Sequence, residues 1–198
     1  MWRVGEELGP VVRRRVRDAS QRREEWRERF GVQGRRVLLI TGGSQGADAL
    51  DRAMRRVERW RQEWVVWHQA RAEGMQEFYE QRGVEAEVRP FFADLGERIA
   101  CADVVVCRAG AGTVAELRAT GTPAIVVPYP YAGGHQRANA EALRREGRAV
   151  VVEQREGWEN ALAETLETWM RTPPGRCAPE QRAGERELAE AMRRWLEM

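Results

Sequence analysis

Three segments of this 198-residue sequence are apolar at nearly every position: VLLIT at Val37–Thr41, DVVVC at Asp103–Cys107 and AIVVP at Ala124–Pro128. A strand with one wet face alternates apolar and polar residues, so a strand without alternation is covered on both sides. Three more β-rich runs occur at Trp64–His68, Glu85–Arg89 and Ala149–Glu153. Between the six runs lie helical patterns at Ala47–Trp60, Glu73–Arg82, Asp94–Ala100, Thr113–Thr120 and Gln136–Glu146. Short strands alternating with helices make βαβ units, and βαβ units make parallel sheets.

The expected fold class is therefore α/β: a Rossmann-like six-stranded parallel sheet with helices on both faces and strand order 3-2-1-4-5-6. Two helices are expected beyond the sixth strand, at Trp158–Met170 and, after a TPPG break, at Glu180–Trp195. The chain divides into a helical linker at 1–34, a sheet domain at 35–172 and a helical extension at 173–198. No internal repeat is visible.

That strand order makes a claim about ligands. Strands 1 and 4 are neighbours, and the crevice outside their carboxyl ends is where such sheets bind small molecules. Strand 1 runs into GGSQGA and strand 4 into RAGAGTVAEL, so the two glycine-rich turns fall side by side. Each opens a helix, whose free N–H groups and dipole favour an anion, and small residues let an anion come close. The pair points to a phosphate-bearing ligand; either turn alone would be equally well explained as a tight connection.

GGSQGA is not G-x-G-x-x-G, and the second strand ends in WHQ with no acidic residue for a nicotinamide ribose. All 33 basic residues are arginine, which excludes a P-loop lysine and Schiff-base chemistry. The arginine cluster at Arg13–Arg29 is interleaved with acids at helical spacing and reads as a solvated helix, not a nucleic-acid surface. Cys101, Cys107 and Cys177 form neither a metal spacing nor a disulfide framework, and MWRVGEELGP has no apolar export segment. A reducing, cytoplasmic setting is expected.

Two further stretches bear on the crevice. Thr113–Glu116, TVAE, has the spacing of a capping box, so Glu116 either ties down its helix start or offers a carboxylate to a ribose diol; spacing alone favours the cap. The loop PYPYAGGHQRANAEAL carries His135, Gln136 and Asn139 to the same edge. Short polar groups converging there suit a hydroxyl-rich ligand, although a His-Gln pair at a helix start is by itself ordinary surface.

GGSQGA, WHQ, ADVVVCRAGAGTVAEL, GTPAIVVPYPY and HQRANA occur here in the order and at the spacing of the C-terminal half of the MurG family. Those enzymes are UDP-N-acetylglucosamine:lipid I N-acetylglucosaminyltransferases of peptidoglycan synthesis. The resemblance runs from about Gly9 to about Glu153, and it implies one half of a GT-B glycosyltransferase, with 35–172 as its nucleotide-sugar-binding domain. Residue by residue, it implies that Gly43, Ser44, Gln45 and Gly46 hold the diphosphate, with Ala111, Gly112 and Thr113 supplying further phosphate contacts. It assigns Glu116 to the ribose hydroxyls, Gln136 and His135 to the sugar, and a slot near Phe92 and Arg108 to the uracil. An arginine of the family's linker contacts the diphosphate; LGPVVRRR offers Arg13, or Arg14, in that place.

The resemblance also implies UDP-GlcNAc as donor, no metal, and an N-terminal acceptor domain or partner subunit that carries lipid I, the general base and a membrane contact. On this expectation the chain is an excised half or one subunit of a split enzyme, cytoplasmic and brought to the inner face of the membrane by its partner. A stand-alone nucleotide-sugar-binding module, or a transferase acting on another lipid-linked acceptor, stays open beside it.

Overall fold

The computed structural model describes residues 12–42, 48–132, 134–180, 190 and 192–193. Its six strands are β1 (Arg36–Thr41), β2 (Trp64–Gln69), β3 (Glu85–Arg89), β4 (Val104–Cys107), β5 (Ala124–Val126) and β6 (Ala149–Val151). They form one sheet in the order β3-β2-β1-β4-β5-β6, with all five pairings parallel, as the strand pattern predicts.

Side-chain alternation explains why β1 and β4 had to be apolar throughout. Leu38 and Ile40 of β1, with Val104 and Val106 of β4, enter one cluster; Val37, Leu39, Val105 and Cys107 enter the other. The first cluster is closed by α3 (Asp48–Met54), α4 (Met75–Glu80) and α8 (Trp158–Arg171). The second is closed by α2 (Arg23–Arg29), α5 (Leu95–Cys101), α6 (Ala111–Thr120) and α7 (His135–Arg145), with Ala19 of α1 (Arg14–Gln21). Val16 of α1 packs with Val12 and with Ala119 of α6. Burial of Cys101 and Cys107 pushes their thiols up to about 11 and about 12, as suits cysteines used as small hydrophobes.

Four local expectations change. The helix after β1 stops at Met54 instead of Trp60; the chain leaves it through short turns, and Trp60 packs edge-on against Tyr79, ring centroids 5.0 Å apart. The arginine cluster is helical, but it is not all solvated. Arg27 is buried, donating to the Cys101 and Val32 carbonyls, and shares Asp103 with Arg23. Its guanidinium thereby seals the edge where α2 meets β4.

Residues 173–180 hold no helix, and Glu180 does not begin one. This segment is a strap laid over the end of α6: Arg176 donates to Ala102 O, Thr120 O and Thr122 Oγ1 at 2.7–2.8 Å, and Cys177 N–H to Gly121 O at 2.9 Å. Gly121, at φ +69°, is where the strap lies closest, since a Cβ there would overlap the Cys177 carbonyl oxygen. Of the expected Glu180–Trp195 helix, Glu190, Met192 and Arg193 are helical, and most of the rest lies outside the described residues.

Fourth, α6 begins earlier than its capping box predicts. Gly110, in an extended conformation, is the N-cap, and among the described residues no side chain caps the helix. Thr113 is the third helical residue and Glu116 the sixth, so the TVAE spacing forms no box.

Candidate functional site

The register of the central strands places the crevice. Thr41 of β1 pairs with Cys107 of β4, so the chain leaves both strands at the same level. After β1 comes Gly42; Gly43, Ser44, Gln45 and Gly46 lie outside the described residues. After β4 come Arg108, Ala109 and Gly110, and then the first turn of α6.

With no side-chain cap, the N–H groups of Ala111, Gly112 and Thr113 lack the carbonyl partners that later turns have; Val114 N–H is the first to reach back, to Gly110 O at 2.9 Å. Among the described residues, a Cβ added at Gly110 or Gly112 would meet nothing within 4 Å. The turn is thus an open, positively polarised helix end at a sheet switch point, a ready site for an anion.

Glu116 lies farther along α6, on the side facing α1 and α5. Its side chain is only 16% exposed, and Arg13 approaches it, Nη2 to Oε1, at 4.0 Å. Burial raises its carboxyl above the ordinary value; Arg13 opposes the rise and Glu97 adds to it. Arg13 is itself 62% exposed and immediately precedes α1. The structure therefore brings together Arg13 and Glu116, from segments about a hundred residues apart in sequence. Arg14 is exposed on the first turn of α1.

Arg108 is buried, and its surroundings are not those of Phe92. Its Nη1 donates to Val127 O at 3.0 Å and to Gln154 Oε1 at 2.7 Å, and its Cζ lies 5.5 Å from the Tyr129 ring. Burial lowers its pKa. Phe92 is also buried, 4.2 Å beneath the Arg98 guanidinium, which in turn binds Glu87 and Asp94. These hydrogen bonds and ring contacts of the two residues share no partner. Of the adjacent phenylalanines, Phe91 is the exposed one.

His135 and Gln136 open α7 behind Gly134, whose φ of +84° turns the chain into the helix. His135 is exposed. Gln136 Oε1 accepts the Tyr129 N–H at 2.9 Å, which leaves its amide N–H2 as the end able to donate to a ligand. Asn139 donates from Nδ2 to Ala109 O at 3.1 Å, pinning α7 to the turn between β4 and α6. The two polar lips of the crevice are thus physically joined.

One polar group behind the site escaped the sequence reading. His68, at the end of β2, lies between Asp51 of α3 (Nε2 to Oδ1, 3.1 Å) and the Tyr79 hydroxyl (Nδ1 to Oη, 3.0 Å), all three buried. A tyrosine donating to Nδ1 leaves the Nε2 proton for the carboxylate, and Asp51 Oδ2 also accepts the Ala72 N–H at 3.2 Å. This chain fastens α3, which follows the GGSQGA stretch, to the end of β2. The signal was a histidine inside an otherwise apolar strand; its partners lie 17 and 11 residues away.

The chain matches the glycosyltransferase family 28 C-terminal domain over residues 37–194. A UDP-N-acetylglucosamine--N-acetylmuramyl-(pentapeptide) pyrophosphoryl-undecaprenol N-acetylglucosamine transferase of Sinorhizobium fredii is 46% identical over 145 residues, covering 69% of this chain and 39% of that protein. The transferase of the same name from Nitrosococcus oceani is 40% identical over 172 residues, 83% of this chain and 47% of its own length. Among solved structures, that of Acinetobacter baumannii MurG matches with a TM-score of 0.59 at 32% identity, over 70% of this chain and 44% of that one. The chain thus spans less than half the length of each of these relatives. With its parallel sheet, its open α6 turn and a family match across most of its length, the chain belongs to the glycosyltransferase family 28 C-terminal domain family, and its fold is the Rossmann-like half of a GT-B glycosyltransferase.

Proposed function

We propose that this chain is the UDP-GlcNAc-binding half of an inverting glycosyltransferase that moves GlcNAc onto lipid I in peptidoglycan synthesis. The observation that carries the reading is the uncapped first turn of α6, open at the switch point of the sheet, with Arg13 against Glu116 farther along the same helix.

In this reading the N–H groups of Ala111, Gly112 and Thr113 bind the diphosphate and stabilise the charge that develops on it as the glycosidic bond breaks. Ser44, with Gly43, Gln45 and Gly46, is assigned to the same phosphates. Arg13 adds a mobile positive charge, so the leaving group is neutralised by donors and arginine without a metal. Glu116 accepts the ribose hydroxyls, and Gln136 and His135 meet the sugar from the second lip. The acceptor hydroxyl and its general base belong to an acceptor domain, fused or separate, which also brings the protein to the inner face of the membrane.

Calorimetry of the chain with UDP-GlcNAc, UDP-GalNAc, UDP-glucose and UDP tests the proposal. UDP and UDP-GlcNAc are expected to bind, with UDP-GlcNAc the tightest of the three sugar nucleotides. Absence of binding to all four ligands, or indifference to the sugar, would overturn it.

A further inference from the structure

A contact of 4.0 Å from an arginine that is 62% exposed is too loose to place Arg13 over Glu116 by itself. What places it is the backbone of α1, and two neighbouring residues hold that backbone. Gly96 of α5 lies directly under it: a Cβ there would sit 2.5 Å from Val16 Cγ2 and 2.7 Å from Glu116 Oε1, so α5 is pressed against both α1 and the Glu116 carboxylate. The next residue, Glu97, is buried, its side chain 2% exposed, and its Oε1 receives Arg15 Nε of α1 at 3.0 Å. Its other oxygen, Oε2, is buried with no hydrogen-bond partner among the described residues. A buried carboxylate bonded on one side only depends heavily on the cation it has. Arg15 is held from its other side as well, with its Cζ 5.6 Å from the Trp26 ring.

We infer that Arg15 and Glu97 are positioning residues for the donor site: their ion pair holds α1 so that Arg13 can move from the Glu116 carboxylate to the diphosphate of a bound nucleotide. The reading rests on the donor site proposed above. Val16 N–H bonds to Arg13 O at 2.9 Å, so the first turn of α1, which Arg15 pins, is the turn that carries Arg13. Along α6, Glu116 stands about 6 Å from Gly112 at 1.5 Å per residue, a distance an arginine side chain spans. Arg13 is then the counter-ion of Glu116 in the free protein and of the phosphates in the complex. Its departure releases Glu116 to accept hydroxyls.

The test is titration of the full chain with UDP and with uridine, which lacks the phosphates, for the wild type and for R13A, R15Q, E97Q and R13A/E97Q. R15Q and E97Q should each weaken UDP about three- to tenfold, in the range of a partly buried charge contact, while uridine stays within about twofold. R13A/E97Q should bind UDP no more weakly than R13A, because Glu97 acts through Arg13. UDP affinity untouched by both single variants would overturn the inference, as would UDP and uridine falling together, which marks a general packing defect. Multiplying effects in the double variant would overturn it too. R15Q leaves the buried Glu97 carboxylate without its cation, whereas E97Q removes that charge, so E97Q is the second variant that keeps the fold if R15Q does not. A wild-type chain that binds no UDP would instead overturn the donor-site reading itself.

Discussion

Glu116→Gln separates two roles that spacing alone could not. The sixth residue of α6 caps nothing, so removing its charge should leave the helix intact; a capping-box carboxylate would have contributed about 1 kcal/mol. Stability should even change in the opposite direction. Burial raises the Glu116 carboxyl above its unfolded value, so the folded protein holds that proton more tightly than the unfolded chain. A raised pKa favours folding fully below the unfolded value, and the contribution is lost as pH rises through the folded value. The wild type loses it as pH rises through that raised value, whereas E116Q is neutral at every pH. E116Q should therefore be as stable as the wild type or more so at pH 7, with the difference closing as pH falls through the raised pKa. Binding should move the other way. Hydrogen bonds to a charged acceptor are worth about 1.5–3 kcal/mol against 0.5–1.5 for a neutral one, so ribose hydroxyls should lose about 1–3 kcal/mol, or roughly 5- to 150-fold in UDP affinity. Urea denaturation between pH 4 and 8 and UDP calorimetry at pH 7 read the two effects on the same samples. Unchanged UDP affinity, or a variant less stable than the wild type at pH 7, would refute the reasoning.

Gly121→Ala should cost about 3–5 kcal/mol by urea denaturation: left-handed backbone strain of 1–2, plus part of the strap's hydrogen bonds, since the Cys177 carbonyl must move away. Asp51→Ala should cost about 2–5 kcal/mol, because His68 Nε2 and the Ala72 N–H lose a buried charged acceptor. UDP affinity should be the same in EDTA as in magnesium; binding that vanishes with chelation would replace the arginine and helix-end reading with a bridging cation. GlcNAc transfer to a lipid I analogue by this chain alone should stay near background, since positioning both reactants contributes about 7–11 kcal/mol. Robust turnover would point to a base within the chain, with the exposed His135 the first to replace.

The parallel sheet was legible because its signal is redundant. Leu38, Ile40, Val104 and Val106 serve one face and their neighbours the other, so the strands show no alternation, and the helices between them leave few topologies. The place of the turn after β4, at the switch point of the sheet, followed from strand order alone. Contacts made across the fold were not legible. That Phe92 lies under Arg98 while Phe91 is free depends on a cation stacked among Phe30, Trp67 and Phe92, residues that no local window joins. The capping-box reading failed because T-x-x-E spacing is equally satisfied one turn inside a helix, and Gly110 carries no side chain to announce the true start. The Asp51–His68–Tyr79 chain showed only its histidine, and the strap at 173–180 showed only its prolines and glycine.

The bracing between the two crevice lips has a consequence for changing what the domain recognises. Asn139 fastens α7 to Ala109, Gln136 fastens the tyrosine loop to α7, and Arg108 fastens the end of β4 to Val127 and to Gln154 beyond β6. The groups on the two lips are therefore mounted on one frame, and substitution on one lip shifts the other. Grafting a sugar-reading loop from a relative would carry its donor preference only as a set: the loop, the residue at 139 and the residue at 154 exchanged together. Swapped singly, each would arrive without the struts that give it its place.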